Sequence, residues 1–186
     1  MITDNIKSLG PIEGNLLKGL ARKHLEVFTI QDVGNIFDDE SIKERLPLLL
    51  HRLAQKGWIR RISKGVYLLL PLSVDSQTPY TQHEWIIATR LLRPSYVGFR
   101  NMLQHYGWTE QLPLTVLIAS PRRKKNLEIQ GVMYQFVTLT EKKFFGDVEI
   151  AIEGQTVKVS DREKTLLDCL NHLEYAGGII EVSKAL

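Results

Sequence analysis

The chain has little cysteine, no long apolar run and almost no net charge, and each shortage removes a class of protein. Its single cysteine, Cys169, excludes an internal disulfide and a thiolate metal cluster. No stretch of the 186 residues approaches the roughly 18 apolar residues of a membrane span. The opening segment MITDNIKSLG lacks the basic start and apolar run of a secretory signal, so a cytoplasmic location is expected. The five histidines are scattered, with no i, i+4 pair of the kind a zinc helix presents. No glycine-rich phosphate loop occurs, and neither a cofactor nor a metal is expected. A net charge of +3 says little about partners, whereas 44% apolar residues suffice for an ordinary buried core.

What the chain does have is a local excess of positive charge. Between 41 and 64, Lys43, Arg45, Arg52, Lys56, Arg60, Arg61 and Lys64 face a single acid, Glu44. That excess of +6 is twice the net charge of the whole protein and suits a polyanionic partner. Just upstream, Asp38, Asp39 and Glu40 offset it.

Four sites place a hydroxyl three residues before an acid, where the hydroxyl can cap a helix and the acid can bond back. They are Thr29 with Asp32, Ser41 with Glu44, Thr81 with Glu84, and Ser160 with Glu163. With the apolar spacing behind them they predict helices near 12–24, 30–37, 42–56, 82–93, 95–106 and 161–173, Ser95 capping the fifth. Ile59 to Leu70 reads as two strands around Ser63-Lys64-Gly65, with Gly65 free to take positive φ. Further strands are expected at 114–119, 127–130, 132–139, 147–152 and 155–159, the last two joined at Glu153-Gly154. Pro71 to Pro79 is polar, proline-bounded and without periodicity, which reads as a linker. At the far end, Gly177-Gly178 stops one helix and Ile179 to Leu186 starts another without a cap. The expectation is a domain cut short inside an element.

Three helices and a tight hairpin within about 60 residues follow the order of a winged helix-turn-helix. In the third helix Ile42, Leu46, Leu49, Leu50 and Leu53 form one apolar stripe, with Trp58 extending it. Lys43, Arg45, His51, Arg52 and Lys56 are expected off that stripe, where a helix can read the major groove. Arg60, Arg61 and Lys64 on the hairpin are expected at phosphate reach. Pro47 conflicts with this helix: six positions in, it deletes a hydrogen bond and requires a kink or an irregular first turn.

Three segments carry a more specific likeness: Thr29-Ile-Gln-Asp-Val, Leu53-Ala-Gln-Lys-Gly-Trp-Ile-Arg-Arg-Ile and Lys64-Gly-Val-Tyr-Leu. In this order they resemble the N-terminal winged helix of AbiEi-family antitoxins. The run from Tyr96 to Pro113, the run from Val159 to Leu170, and Gly177-Gly-Ile are similar to later segments of the same family. The resemblance implies a transcriptional autoregulator that binds double-stranded DNA at its own promoter. It also implies a second domain that counters a nucleotidyltransferase-like toxin encoded beside it.

Other constellations point elsewhere more weakly. Asp147, Glu149, Glu163 and Lys164 are the residue types of a restriction-like nuclease site, but Glu163 and Lys164 fit the first turn of a helix better. Cys169 falls on an apolar helix face with Leu166, Leu170 and Leu173 and is expected in the core. Arg122, Arg123, Lys124 and Lys125 follow a strand and Pro121, which predicts an exposed loop: a solvated turn, a second basic contact for DNA phosphates, or a surface for an acidic partner. Trp85, Phe99, Tyr106 and Trp108 read as core, with Trp108-Thr-Glu-Gln a candidate partner-facing edge. The expected architecture is α+β. Residues 1–72 form a winged helix-turn-helix and 73–80 a linker. Residues 81–186 form a small mixed domain of two helices, a sheet and a capping helix. The protein is expected to bind DNA without catalysis. The alternatives are a ligand-responsive regulator, which needs an enclosed pocket, and a metal-dependent nuclease.

Overall fold

A computed structural model describes residues 8–70 and 82–186. The expected linker at 73–80 and the Thr81 cap lie outside the described residues. The chain divides into two compact units, Met1–Gln82 and His83–Leu186, each mixing helix and sheet.

The first unit runs α1 (Pro11–Arg22), β1 (Val27–Thr29), α2 (Ile30–Gly34), α3 (Glu40–Glu44), α4 (Leu46–Gln55), β2 (Ile59–Ser63) and β3 (Val66–Leu69). The three strands form one antiparallel sheet in the order β1-β3-β2. The strand β1 is short and has no alternation of its own; its pairing with β3, Phe28 opposite Tyr67, makes it a strand. Leu16, Leu20, Phe28, Val33, Leu46, Leu50 and Leu53 close the core, so the leucine stripe packs as its spacing predicts. Gly19 sits inside α1 because Ile36 packs where a Cβ would stand.

The segment predicted as one helix over 42–56 is two. A helix running through Pro47 would drive the proline ring into the carbonyl of Lys43 and lose a hydrogen bond. The chain breaks at Arg45 instead, which places Pro47 in the first turn of α4, where a backbone N–H would have no helical acceptor and its absence costs nothing. The cap of α3 is Asp39, whose carboxylate accepts from the Ser41 N–H at 2.8 Å, rather than Ser41 itself. Thr29 and Asp32 do form the predicted reciprocal cap. The hairpin turns on Lys64 and Gly65, with Gly65 at φ +75°, and a bulge between Arg61 and Ser63.

The second unit holds a six-stranded mixed sheet in the order β6-β7-β5-β4-β9-β8. Its elements are α5 (Glu84–Leu91), β4 (Tyr96–Val97), α6 (Arg100–His105), β5 (Thr115–Ser120), β6 (Leu127–Ile129), β7 (Val132–Thr138), β8 (Asp147–Ile152), β9 (Gln155–Ser160), α7 (Arg162–Asn171), α8 (Leu173–Ala176) and α9 (Ile179–Ser183). The helix predicted over 95–106 starts only at Arg100. Tyr96 and Val97 are claimed by the sheet, lying between β5 and β9, and Ser95 donates to the Leu92 carbonyl instead of capping. Likewise Asp161, not Ser160, caps α7 by accepting from the Lys164 N–H at 2.7 Å. In β5, Leu117 and Ala119 face the cluster containing Cys169 and Ala176, while Val116 and Ile118 point to the opposite face and are also buried. A strand covered on both sides explains the unbroken apolar run. Burial pushes the Cys169 thiol up to about 12, as befits a core residue.

Candidate nucleic-acid interface

The α4 helix buries Leu46, Leu50 and Leu53 and so must turn its other face outward. At 100° per residue that face carries Leu48, His51, Arg52 and Gln55, the positions i, i+3, i+4 and i+7. All four are exposed. His51 and Arg52 belong to the basic set expected from sequence. Leu48 and Gln55 do not, because neither carries the positive charge that marks that set. A helical wheel drawn opposite the leucine stripe would have found them. Their chemistry suits base edges: a glutamine amide can pair with adenine, and an alkyl side chain can meet a thymine methyl.

Arg45 is exposed at the break between α3 and α4. Together with Arg52 it borders an open groove of about 490 Å³ floored by Ile12, Ile42, Leu48 and Leu49. Two other cations of the set are engaged by acids. Lys43 lies 2.7 Å from Glu40 one turn away. Lys56 reaches 43 residues back to the buried Glu13, with Nζ 2.6 and 2.9 Å from its two carboxylate oxygens. Glu13 also accepts from the Gly10 N–H at 2.8 Å, which closes the start of α1. Burial would raise the Glu13 carboxyl. The Lys56 and Gly10 hydrogen bonds and the charges of Lys56 and Arg52 outweigh it and hold that carboxyl below its ordinary value.

On the hairpin, Arg60 stands opposite Leu68 and Arg61 opposite Tyr67, so the two arginines leave β2 on opposite faces. Arg61 is exposed, and its Nε donates to the Ser63 carbonyl at 3.3 Å across the bulge. Lys64 is exposed in the turn. The structure therefore turns Arg45, His51, Arg52, Arg61 and Lys64 outward and gives Lys43 and Lys56 carboxylate partners within the unit.

The nuclease-like residues of the second unit do not converge. Asp147 pairs with Lys158 at 2.7 Å, and Glu149 and Glu163 are exposed. Lys164 is buried, with Nζ 2.5 Å from Asp168 and 2.6 Å from the Lys143 carbonyl. Asp168 in turn accepts from the Tyr96 hydroxyl at 2.7 Å. Burial first, then the Asp168 charge, pushes that hydroxyl far above its ordinary value. Among the described residues no three His, Cys, Asp or Glu side chains group as a metal site. The second unit has an open pocket of about 250 Å³ beside Arg100, Gln135 and Tyr175 and another of about 520 Å³ beside Trp108, Thr109 and Lys184. Trp85 and Phe99 are buried as expected, while Tyr106 and Trp108 are half-buried. No described helix is long and apolar enough to cross a membrane.

Residues 15–70 match the family model described as a transcriptional regulator, AbiEi antitoxin. The matched segment contains α1 to β3 apart from the first turn of α1, and with it the face just described. No curated protein matches the chain. Among solved structures, the crystal structure of RV2827C protein from Mycobacterium tuberculosis is similar at TM-score 0.48 and 14% identity. The match covers 87% of this chain and 61% of that one, so this chain spans less than two-thirds of that protein's length.

Proposed function

We propose that the protein is a DNA-binding transcriptional regulator of the antitoxin type, which represses its own promoter. Residues 1–72 act as the winged helix-turn-helix and 73–80 as the linker. Residues 81–186 counter a nucleotidyltransferase-like toxin encoded beside it. The reading is carried by one coincidence. The segment that matches antitoxin regulators, 15–70, turns an exposed face of Leu48, His51, Arg52 and Gln55 outward and adds Arg61 and Lys64 from a hairpin. In this docking α4 enters the major groove, and Arg61 and Lys64 hold phosphates without reading sequence.

Salt titrations on the promoter duplex and on a random duplex test the docking. Arg61→Ala and Lys64→Ala weaken both duplexes about equally and flatten the log–log salt slope by about 0.9 per lost contact. Arg52→Ala and Gln55→Ala cost about 1–3 kcal/mol on the promoter and far less on random sequence. Gly65→Val weakens both, because a β-branched residue resists the positive φ of the turn. Lys56→Met leaves the salt slope unchanged, since its charge is engaged by Glu13. Co-expression with the neighbouring toxin separates the two roles. The Arg61→Ala/Lys64→Ala chain loses repression and still rescues growth. Failure of the wild-type chain to bind duplex DNA would overturn the reading.

A further inference from the structure

Among the described residues of the first unit, large apolar side chains are exposed at Leu9, Ile12 and Leu48. Ile12 and Leu48 line the same open groove of about 490 Å³. Its floor is completed by the half-buried Ile42 and Leu49. One wall is a flank of α4 and its N-cap, on which Arg45, Leu48, Leu49 and Arg52 follow at i, i+3, i+4 and i+7. The apolar strip is therefore about 10 Å long, with an arginine at each end. Both arginines are exposed, and neither forms an ion pair with a described residue. The acids beside them are committed elsewhere. Glu13 is held by Lys56 and the Gly10 N–H, and Asp39 accepts from the Ser41 N–H at the start of α3. The two guanidinium groups keep their hydrogen-bonding forks free for a partner.

Arginine beside exposed apolar side chains is the composition of a protein-binding surface, where lysine is scarce. Duplex DNA would take up the charges and leave Ile12, Ile42 and Leu49 uncovered. A groove this open cannot enclose most of a small molecule, as small-molecule sites do. From this we infer that the groove receives an acidic amphipathic helix of a partner protein. Two turns of such a helix match the length of the strip. Its apolar side chains cover Ile12, Ile42, Leu48 and Leu49, and two carboxylates seven residues apart meet Arg45 and Arg52 in paired N–H···O bonds. Leu48 and Arg52 also lie on the face assigned to DNA. The helix and the promoter therefore exclude each other, and the partner relieves repression. Docking of the helix stands by itself, whereas the exclusion rests on the DNA-binding reading.

The probe is a synthetic alanine-rich helical peptide of about 18 residues, with glutamates at i and i+7 and leucines at i+3 and i+4. Fluorescence anisotropy measures its affinity for the full-length chain. A peptide with lysine at both glutamate positions is expected to bind about tenfold more weakly, and Arg45→Ala/Arg52→Ala is expected to abolish that preference. Ile12→Ser is expected to weaken the glutamate peptide about tenfold and to leave affinity for promoter and random duplexes unchanged. In competition the glutamate peptide raises the apparent promoter Kd in proportion to its concentration. A peptide with serine for both leucines does not. Unchanged thermal midpoints in the variants establish that the fold is intact. Equal binding of the glutamate and lysine peptides would overturn the inference. So would duplex binding weakened by Ile12→Ser, which would give the floor to DNA. A concentration-dependent dimer abolished by Ile12→Ser would give it to a second copy and overturn the inference too. Glutamate-peptide binding beside an undisplaced promoter would keep the docking groove and remove α4 from the major groove. No duplex binding by wild type, with the peptide bound as expected, would overturn the parent reading alone.

Discussion

Among the described residues the first unit buries one charged side chain, Glu13, whereas the second buries Lys164, Asp168 and Glu181 along with several hydroxyls and two amides, Asn101 and Gln155. In the first unit a nearly all-apolar core leaves most cations on the surface, where a polyanion can reach them. In the second, Lys164 and Tyr96 both donate to Asp168, Thr109 donates to Glu181 at 2.6 Å, and Asn101 bridges to the backbone of Thr115 and Leu117. Those polar groups specify how helices sit on the sheet. The difference teaches that a charged residue's type says less about its task than whether a partner within the fold has already claimed it. Lys56 and Lys164 are both lysines in suggestive sequence surroundings, and each is held by a carboxylate of its own unit.

The comparison breaks most visibly at Asp168. Asp168→Ala strands a buried ammonium and frees a buried tyrosine hydroxyl. It is expected to cost the second unit about 3–5 kcal/mol. Amide hydrogen exchange would read this as lost protection in α7 and β4 with α1 to β3 unaffected. Loss of less than about 1 kcal/mol would show that the network is dispensable. The counterpart in the first unit, Glu13→Ala, leaves Lys56 partly exposed to water and able to rehydrate. Its cost is expected to be smaller, about 1–3 kcal/mol, measured by denaturant unfolding. Tyr96→Phe removes one hydrogen bond and keeps the ring stacked on Phe144, so about 1–2 kcal/mol is expected by the same measurement.

The smallest effect is in pH. The Glu13 carboxyl titrates lower in the folded chain than in the unfolded one. Its contribution is therefore complete above the unfolded value of about 4.3 and is lost as pH falls through the folded value. Stability of the first unit should drop between about pH 5 and pH 3, and Glu13→Gln should flatten that part of the profile. An identical acid profile in the variant would show that other carboxylates govern it.

Signals confined to a few neighbouring residues were legible. The Thr29–Asp32 cap, the Gly65 turn and the Glu153-Gly154 hairpin depend on backbone geometry that adjacent side chains decide. The leucine stripe of α4 was legible too, since its spacing alone selects the buried face. Pro47 was recognised as an obstacle, but the outcome, a break at Arg45 rather than a kink, needed the packing of α4 against the core. The stretch at Tyr96 was misread because two apolar residues show no period. Only their slot between β5 and β9 makes them strand.

The sequence by itself thus determined where most helices and turns form, that residues 41–64 are basic, and which side of α4 is buried. These follow from interactions spanning a few residues, whose geometry the chain carries locally. Tertiary structure alone decided which cations remain for a partner. Lys56 meets Glu13 across 43 residues, and Tyr96 meets Asp168 across 72. Contacts of that span depend on how the elements pack, because burial makes an unpaired charge costly and so selects partners by position in space rather than by distance along the chain.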